Sequence, residues 1–551
     1  MTRLQALKKN LQEARSDLRE LGPKGIWDLA RGMFTLARAL PKFFRQRITV
    51  EQAEKEIKRA LESREERFLE VARTRIYKHP ASPYLKLLKL AGCEFSDLAT
   101  QVHRYGLEAT LEMLAREGVY LTSDEFKGKK EVVRGRQSFR VSPGDLKDAV
   151  SLPGFVAHSS GASGRPIRTV LSLDLILAWS LGHGVLFSAH RLFSHSHAVY
   201  DAMLPASGSV INLLMNARVG IATDRWFARK VPGANSLASW YHYLTSRLIV
   251  LTGKRYCPGF PGPELIGIEE IHRIVHWVLD RRREGKACCI RTTASNATRI
   301  ARLAWEMGVS LEGTKFIVSG EPFTEPKRQA IERAGAGAIA FYGAAPGMYI
   351  GFGCANPLNT GEVHVNEYML AVVNRPTPLS QNGTPISPLL FTTLHRSASA
   401  MLLNVEIGDY ATFARRDCGC ALEKIGLTLH LHHIRSYDKF TSEGMNYFYG
   451  DLYAFFEQTL PSEFGGGPGD YQLVEEEDGS GQTRLTLVVH PEVGAMDEAK
   501  VLLRLQEALA QGSSANQFQS GIWQDAGTLR IRREAPHASA RGKILPLHIP
   551  R

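Results

Sequence analysis

Long apolar runs and a signal-peptide core are both missing from this sequence. No apolar stretch reaches the length that a membrane-spanning helix needs. Residues 1–22, MTRLQALKKNLQEARSDLRELG, carry charges throughout and contain none of the apolar core that a secretory signal requires. Cysteines are few and odd in number, seven in 551 residues, which argues against a disulfide framework and for a reducing compartment. The sequence therefore predicts a cytoplasmic protein.

Nucleic-acid-binding motifs are also missing, although the formal net charge of the chain is +12. The Lys and Arg residues are scattered among Asp and Glu instead of forming one basic block. Attraction for a small polyanion accounts for part of the excess, because positive charge raises the local concentration of anionic ligands. A basic protein that binds a membrane surface or nucleic acid is the alternative that the charge alone leaves open.

The chain of 551 residues exceeds what one hydrophobic core usually organises, so two or more domains are expected. Residues 1–75 and 84–116 have the patterns of charged amphipathic helices. Residues 25–44 mix aromatic side chains with Arg and Lys, as do helices at a membrane interface and helices docked on a domain. Further along, helix-length segments alternate with short β-rich runs such as 210–214 and 248–253, which predicts an α/β domain with largely parallel strands.

A loop rich in serine and glycine, HSSGASGRP, occupies residues 158–166 between two short apolar runs. The backbone N–H groups and hydroxyls of such a loop can wrap a polyphosphate. No Gly-Lys-Ser/Thr sequence closes the loop, and the chain is predicted to leave it as a strand, so it is not a Walker A loop. A solvated hairpin turn is the alternative for this stretch taken alone.

This loop resembles the phosphate-binding signature Ser-Ser-Gly-Thr-Thr-Gly-x-Pro of the adenylate-forming enzymes, which include acyl-CoA synthetases, nonribosomal peptide adenylation domains and luciferases. The order of the later motifs is similar to that of phenylacetate-CoA ligases, and the resemblance begins at about residue 150. It implies an α/β fold: a large domain of α/β subdomains with a small β-barrel, then a small α+β domain. The implied boundaries are a helical part at 1–150, an AMP-binding core at 151–434 and a mobile C-terminal domain at 435–551. The residues it assigns to the phosphates of ATP are Ser159, Ser160, Gly161, Ser163 and Gly164.

Two later turns resemble the nucleobase-binding motifs of the same family. A predicted strand ends in Gly320, Glu321 and Pro322, which resemble the Gly-Ala-Glu-Pro-Trp segment that holds adenine. The next predicted strand ends at Tyr342 and Gly343, where a ring can stack on a nucleobase. The resemblance therefore assigns these five residues to ATP binding.

The sequence departs from the family directly after the Tyr-Gly turn. The family pattern continues with Ser/Thr-Glu, in which the hydroxyl contacts the α-phosphate and the carboxylate helps to bind Mg²⁺. This chain has Ala345 and Pro346 in those places. Either another carboxylate serves, or Mg²⁺ is held by the triphosphate alone, or adenylation has been weakened or lost.

A set of cysteines and one histidine follows the same turn: Cys354, His364, Cys418 and Cys420. Three thiolates and one imidazole form a closed tetrahedral zinc set, which is structural in type because no position stays open for water. The spacing differs from that of zinc ribbons, and core or solvated cysteines are the alternative. Some phenylacetate-CoA ligases carry cysteines and a histidine in this relation to the Tyr-Gly turn, which implies a structural Zn²⁺ that contributes to folding.

The C-terminal part carries three further motifs. Asp409 resembles the family's aspartate that accepts both ribose hydroxyls, with Glu406 as the alternative. Residues 433–440 resemble the interdomain hinge, in which Arg435 contacts ribose or phosphate. Lys543, in the segment Ser-Ala-Arg-Gly-Lys-Ile, resembles the lysine that enters the active site during adenylation. A charged linker and a solvated basic tail are the alternatives for the last two motifs.

Together these motifs imply ATP-dependent activation of a carboxylic acid to an acyl-adenylate, with Lys543 as the catalytic residue, Mg²⁺ as cofactor and coenzyme A as acyl acceptor. An amine or a carrier-protein thiol needs the same first step, and a degenerate nucleotide-binding homologue is the alternative that Ala345 and Pro346 raise. Family kinship alone favours an aryl acid, and the oligomeric state, a homodimer included, stays open. Candidates for an acyl pocket, each with a core or surface role as the alternative, are His183, His190, His195, His197, Trp240, Tyr241 and His242.

Overall fold

The structure, a computed structural model, contains strands and helices in nearly every part of the chain that it describes. The described residues are 27, 29–142, 146, 153–158, 168–204, 207–229, 237–344, 347–381, 384–437, 455–467, 469–510, 514–537 and 547–548. The strands are β1 (Val132–Arg134), β2 (Gln137–Phe139), β3 (Gly154–His158), β4 (Arg168–Ser172), β5 (Ser196–Ala202), β6 (Thr223–Arg229), β7 (Pro263–Ile266), β8 (Cys288–Thr293), β9 (Thr314–Ser319), β10 (Gly337–Ala344), β11 (Met348–Gly353), β12 (Val363–Val365), β13 (Leu370–Asn374), β14 (Leu379–Gln381), β15 (Thr384–Ile386), β16 (Pro388–Thr393), β17 (Val405–Arg415), β18 (Leu429–Ser436), β19 (Tyr471–Glu477), β20 (Thr483–Val489), β21 (Leu529–Arg533) and β22 (Leu547–His548).

The α-helices are α1 (29–45), α2 (Val50–Glu62), α3 (Arg64–Ala72), α4 (Pro83–Leu90), α5 (Phe95–Tyr105), α6 (Leu107–Arg116), α7 (Ser123–Phe126), α8 (Leu173–Ala189), α9 (Gly208–Arg218), α10 (Leu237–Tyr256), α11 (His272–Arg283), α12 (Ala294–Glu306), α13 (Glu325–Arg333), α14 (Ala421–Lys424), α15 (Leu460–Phe464), α16 (Glu498–Ala510) and α17 (Ser514–Asp525). Among the described residues, no helix combines the length and the apolar character that crossing a membrane requires. The helices predicted at 84–116 are confirmed as α4, α5 and α6.

A mixed sheet of twelve strands is the largest element, in the order β13-β16-β17-β18-β12-β11-β10-β9-β8-β5-β6-β7. From β10 to β7 every neighbouring pair is parallel, as the alternation of helices and strands predicts. From β10 to β13 every neighbouring pair is antiparallel. The strands expected in a small barrel form this antiparallel half of the sheet.

Helices cover both faces of the parallel half, which confirms the predicted α/β class. One face packs on α8 and α9 through a core that includes Trp179, Leu214 and Trp226. The opposite face packs on α11, α12 and α13 and includes Ile300 and Ile331. The N-terminal helices α3 to α6 cover the antiparallel half through a separate apolar cluster.

Two predicted strands are helices in the structure, so this prediction was wrong. Residues 210–214 lie in α9, and residues 248–253 lie in α10. Burial on all sides is the physical reason in α9, where every residue from Ser209 to Arg218 is buried. A helix that is buried all round shows a continuous apolar run, which periodicity alone does not distinguish from a buried strand.

The aromatic N-terminal segment is a docked helix over its second half. Leu36, Leu40 and Phe43 of α1 belong to the same apolar core as α8. Trp27 and Phe34, on the first half of the segment, are 69% and 61% exposed. The docked-helix alternative therefore describes the second half of this segment.

The C-terminal unit is α+β, as predicted. Its sheet has the order β21-β20-β19-β22, with an antiparallel β19–β20 hairpin and a parallel β20–β21 pair. Helix α16 contributes buried Val501 and Leu505, and Trp523 of α17 is fully buried in the same cluster. A separate apolar core thus supports this unit.

Candidate functional site

The predicted phosphate loop is held at its base by the β3–β4 hairpin, whose strands of five residues each pair antiparallel. Ser159, Ser160, Gly161, Ser163 and Gly164 lie outside the described residues, as do Lys543, Ala345, Pro346 and Asp438. The hairpin lies against the turn that follows Tyr342, because a Cβ added at Gly347 would lie 3.0 Å from Leu171 Cδ2 and 3.6 Å from Thr169 Cγ2. The base of the loop and the Tyr-Gly turn are therefore neighbours.

The carboxylate of Asp409 is the point at which three motifs of the sequence meet. The Tyr342 hydroxyl donates to Asp409 Oδ2 at 2.8 Å, and Ser436 Oγ donates to Asp409 Oδ1 at 2.5 Å. Asp409 is only 4% exposed. Burial, together with the neighbouring carboxylate, raises the pKa of the Tyr342 phenol well above its ordinary value. The structure thus joins the predicted nucleobase turn, the predicted ribose aspartate and Ser436 of the predicted hinge.

A local irregularity in β17 presents Asp409 to this cluster. Gly408 has a φ of +90°, a conformation that favours glycine. The pairing of β17 with β16 shifts in register between Pro388 and Leu390. Gly408 O accepts a hydrogen bond from Tyr437 N at 3.0 Å. Tyr437 of the predicted hinge is therefore tied to the residue that precedes the aspartate.

Glu406, the alternative ribose ligand, is already engaged in a buried ion pair. Arg375 Nη1 donates to Glu406 Oε1 at 3.0 Å, and Tyr437 OH donates to Glu406 Oε2 at 2.9 Å. Burial raises the pKa of Glu406 although Arg375 lowers it. Breaking a buried ion pair is costly, whereas the hydroxyl partners of Asp409 can be exchanged for ribose hydroxyls. This difference favours Asp409 as the ribose ligand.

Gly343 and Arg435 are the chain neighbours of Tyr342 and Ser436. At Gly343 the β10–β11 register shifts, and a Cβ there would lie 3.3 Å from the carbonyl oxygen of the facing strand. Arg435 lies opposite Tyr410 in the β17–β18 pair, and its Nη1 donates to a backbone carbonyl at 2.9 Å. Both residues therefore flank the Asp409 cluster, and their roles toward a nucleotide stay predictions.

Glu321 and its neighbours take part in a buried polar network. Gly320 turns the chain with a φ of +87°. The Glu321 carboxylate accepts from Ser295 N at 2.7 Å and from Ser295 Oγ at 2.6 Å. Lys327 Nζ donates to Glu321 Oε2 and to Pro322 O, each at 3.1 Å. These contacts fix the motif in place, while its predicted contact with adenine stays a prediction.

The same network reaches the C-terminal unit. Thr483 Oγ1 donates to Glu321 Oε2 at 3.2 Å, and Lys327 Nζ lies 3.3 Å from Glu477 Oε1. Thr324 Oγ1 also donates to the Glu477 carboxylate, at 2.6 Å. Burial lowers the pKa of Lys327, but the two glutamates outweigh it and hold this pKa above its ordinary value. The β19–β20 hairpin therefore docks directly on the predicted adenine motif.

The four predicted metal ligands converge in the structure. Cys420 Sγ lies 3.2 Å from His364 Nε2, and Cys418 Sγ lies 3.6 Å from the same nitrogen. The ligand atoms of Cys354, His364 and Cys418 all lie within 4.8 Å of one another. A hydrogen bond between Cys354 and Cys420 lowers the pKa of the Cys420 thiol and raises that of Cys354. A thiolate is therefore favoured at Cys420, which is the form that binds metals.

His430 is a further candidate ligand that the sequence analysis missed. It lies opposite His364 in the β12–β18 pair, and its buried Nε2 has no hydrogen-bond partner among the described residues, although Glu362 Oε1 lies 3.7 Å away. One of its ring nitrogens lies within 4.8 Å of the ligand atoms of Cys354, His364 and Cys418. His364 Nδ1 lies 2.6 Å from Leu427 O, so Nδ1 carries the proton and Nε2 faces the sulfur atoms. This donor set suits a tetrahedral Zn²⁺, with Cys420 or His430 completing the four.

The residues proposed for an acyl pocket are largely held by internal hydrogen bonds. His183 Nε2 lies 2.7 Å from Asn216 Oδ1, and His190 Nε2 and His197 Nε2 each lie 2.9 Å from a backbone carbonyl oxygen. The Tyr241 hydroxyl accepts from a backbone N–H of β3 at 3.3 Å. Burial lowers the pKa of His183 to about 3 and that of His197 to about 4. Of the remaining candidates, His195 is half-buried and His242 is buried. The side chain of Trp240 lies outside the described residues.

Comparison with known proteins finds likeness in structure but not in sequence. No protein-family model and no curated protein matches the sequence. The chain is similar to 2-hydroxyisobutyryl-CoA ligase in complex with 2-HIB-AMP and CoA, with a TM-score of 0.49 and 17% identity over 92% of this chain and 91% of that chain. It is also similar to a variant of the amide bond synthetase Mcba from Marinactinospora thermotolerans (TM-score 0.38, 12% identity, 85% of this chain and 92% of that chain). A third such structure is the fatty acyl-adenylate ligase from L. pneumophila in complex with acyl adenylate and pyrophosphate (TM-score 0.33, 9% identity, 78% of this chain and 71% of that chain).

Proposed function

We propose that this protein uses ATP to convert a carboxylic acid to an acyl-adenylate and then transfers the acyl group, with coenzyme A as the acceptor. The observation that carries the proposal is the hydrogen bond between Tyr342 and Asp409. It joins two motifs, 67 residues apart in the chain, that resemble the nucleobase and ribose sites of adenylate-forming enzymes. The β3–β4 hairpin adds support, because it brings the base of the Ser/Gly loop to the same turn.

Each proposed site residue has a defined role in this reaction. The adenine stacks on Tyr342 beside Gly343 and the Gly320-Glu321-Pro322 turn, and Asp409 accepts the ribose hydroxyls in exchange for its present hydroxyl partners. The loop residues Ser159, Ser160, Gly161, Ser163 and Gly164 cradle the phosphates, and Arg435 contacts ribose or phosphate. A carboxylate oxygen of the acid attacks the α-phosphorus and pyrophosphate leaves. Lys543 stabilises the negative charge that develops at phosphorus.

The residues after the Tyr-Gly turn do not fit a protein-held magnesium ion. Ala345 and Pro346 offer no side-chain oxygen at the positions where the family has a hydroxyl and a carboxylate. We therefore assign Mg²⁺ to the ATP triphosphate and derive no step from it. The same two residues favour a second candidate function, a nucleotide-binding homologue that lacks ligase activity.

ATP–pyrophosphate exchange across a panel of carboxylic acids tests the first half-reaction. The native protein should exchange with at least one acid class, and Lys543→Ala should lose roughly a hundredfold or more of the rate, since one preorganised charge-stabilising group is worth about 3 kcal/mol. Lys500→Ala, an exposed lysine of the same C-terminal unit, is the matched control and should exchange normally. ATP binding without exchange for any acid would favour the second candidate function.

The acceptor is tested separately from adenylation. With an acid that supports exchange, consumption of coenzyme A and formation of its thioester should depend on ATP. Accumulation of acyl-adenylate that reacts with hydroxylamine but not with coenzyme A would point to an amine or a carrier-protein thiol instead. The first half-reaction stands under either result.

We also propose that Cys354, His364, Cys418 and Cys420 hold one structural Zn²⁺, with His430 beside it. All of these ligands come from the protein, so the metal has a closed shell and supports folding without taking part in the reaction. The proposal is supported by the distances within the cluster. Metal analysis of the purified protein tests it.

A further inference from the structure

An exposed stripe of aromatic, arginine and lysine side chains runs along α1. The opposite side of this helix is docked, since Leu36 and Leu40 belong to the core that includes α8. The exposed stripe recurs every three or four residues and consists of Trp27, Arg31, Phe34, Arg38, Lys42 and Arg45. This spacing places all six residues on one helical face. Asp28 is the only acidic residue from 27 to 45, so the stripe is strongly basic.

Helix α10 carries a second exposed face of the same composition. Its buried side packs in the same core through Ile249. The exposed side consists of Tyr243, Leu244, Arg247, Leu251, Lys254 and Arg255. Residues 237–256 contain no Asp or Glu. Both helices therefore present cations and apolar side chains to solvent while their other sides are held by the protein.

The two helices meet at the ring of Tyr256. Arg45 Cζ of the α1 stripe lies 4.5 Å from the ring centroid, and Arg255 Cζ of α10 lies 5.5 Å from the same centroid. Phe44 and Phe260 pack edge to face beside this contact, with a centroid distance of 5.3 Å. The α1 stripe and the exposed side of α10 therefore adjoin, and together we call them the basic-aromatic surface.

Cations and rings lie side by side on this surface. Arg38 Cζ lies 5.7 Å from the centroid of Phe34, and Arg247 Cζ lies 5.8 Å from that of Tyr243. Aromatic rings with long cationic side chains beside them are typical of the boundary between lipid headgroups and acyl chains. The rings enter that boundary, and the Arg and Lys side chains extend to the anionic headgroups.

We propose that the basic-aromatic surface binds the face of an anionic lipid bilayer without crossing it. Leu244 and Leu251 are 46% and 60% exposed, and an aliphatic side chain gains from contact with lipid but not from stacking on a nucleobase. A second copy of this chain would bring the same positive charge to the contact, which is repulsive. An anionic bilayer matches both the charge and the apolar side chains.

Co-sedimentation with vesicles tests the electrostatic part of this proposal. The native protein should bind vesicles of mixed phosphatidylserine and phosphatidylcholine more tightly than vesicles of phosphatidylcholine alone. About 1 M salt should weaken this binding, because the screening length is then about 3 Å. Arg31→Glu combined with Arg38→Glu should lower the partition coefficient roughly twentyfold or more. The matched control is Arg283→Glu combined with Arg333→Glu, the same change in net charge on exposed residues of α11 and α13, across the sheet, which should bind as the native protein does.

Trp27→Ser tests the apolar part separately. The partition coefficient should fall roughly tenfold or more, because the ring leaves water when the stripe binds. Trp305→Ser is the matched control, since Trp305 of α12 is 64% exposed and Trp27 is 69% exposed, but α12 covers the other face of the sheet. Hydrogen exchange of the native protein needs no variant, and anionic vesicles should slow it in residues 29–45 and 237–256 but not in residues 272–306.

The outcomes decide between a bilayer and the other occupants of such a surface. Failure to bind anionic vesicles at low salt overturns the proposal, as does binding that the control variants weaken as much as the α1 variants do. Binding to RNA together with vesicle binding that Trp27→Ser leaves unchanged also overturns it, because charge alone would then explain the surface. A dimer that the α1 variants dissociate, without vesicle binding, would assign the surface to a second copy. ATP–pyrophosphate exchange without vesicles should be normal in the α1 variants, since α1 carries no residue of the proposed site, so the proposed function stands or fails separately.

Discussion

Replacing Lys327 by Met should destabilise the protein far more than the same change at its neighbour Arg328. Lys327 Nζ lies 3.1 Å from Glu321 Oε2 and 3.3 Å from Glu477 Oε1, and the side chains of Lys327 and Glu321 are each 1% exposed. Methionine fills a similar volume without charge. The variant therefore leaves two carboxylates facing each other with no cation between them.

The burial of this ion pair sets the size of the expected loss in the free energy of unfolding. Removing one member of a buried ion pair costs about 3–5 kcal/mol. Glu321 keeps its hydrogen bonds from Ser295 and Thr483, so we expect the lower end of this range. Arg328 pairs with Glu325 and Glu332 on the exposed side of α13, where an ion pair is worth less than about 1 kcal/mol.

Urea unfolding of the two variants at pH 7 measures the difference. Hydrogen exchange of residues 471–489 reports whether the β19–β20 hairpin has lost its docking. Adding Glu321→Gln to Lys327→Met should recover about 1 kcal/mol or more, because the unpaired charge is then removed. A loss in Lys327→Met no larger than that in Arg328→Met would refute the reasoning.

Three further predictions concern the ribose site, the metal and the buried histidines. Asp409→Ala should raise the KM for ATP in the exchange assay roughly tenfold or more, since hydrogen bonds to a charged acceptor are worth about 1.5–3 kcal/mol; an unchanged KM would contradict the ribose assignment. Elemental analysis should find about one zinc per chain, and Cys420→Ser should lose it and melt at a lower temperature, whereas a metal-free native protein of the same stability would exclude a structural zinc. Burial lowers the pKa of His183 to about 3 and those of His197 and His395 to about 4, from 6.5. Below pH 6.5 the unfolded chain therefore binds more protons than the folded one, and each histidine should cost roughly 2 kcal/mol of stability at pH 5. Urea unfolding at pH 7 and pH 5 should show a smaller loss for His395→Asn than for the native protein, and an equal loss would argue against this cause.

Sequence patterns were sufficient where turn residues fixed the local structure. The β19–β20 hairpin turns at the Asp-Gly-Ser-Gly run at 478–481, a sequence typical of hairpin turns. The strand that ends at Gly320 and the strand that carries Tyr342 are also present. The resemblance assigned Tyr342 and Asp409 to one nucleotide site, and in the structure their side chains are hydrogen-bonded. In each case a glycine turn or a polar side chain marked where the element ends. The spacing of the motifs along the chain could therefore be interpreted without knowledge of the rest of the fold.

Other features depend on partners that the sequence does not display. Residues 210–214 look like a strand because burial on all sides of α9 removes the helical alternation. His430 faces the cysteine–histidine cluster because β18 pairs with β12 in one register, and a shift of one residue would turn it to the other side. The domain boundaries at 150 and 434 stay predictions.

Strand β18 connects the cysteine–histidine cluster to the Asp409 site through one continuous backbone. His430 lies near its first residue and Ser436 is its last, so the two sites are about 20 Å apart along a single hydrogen-bonded strand. An oxidant or electrophile that attacks the exposed edge of Cys418 would loosen the anchored end of that strand, although it never reaches the aspartate. Because Ser436 donates to Asp409, a displacement of β18 at the cluster would reach the aspartate through the backbone of that strand.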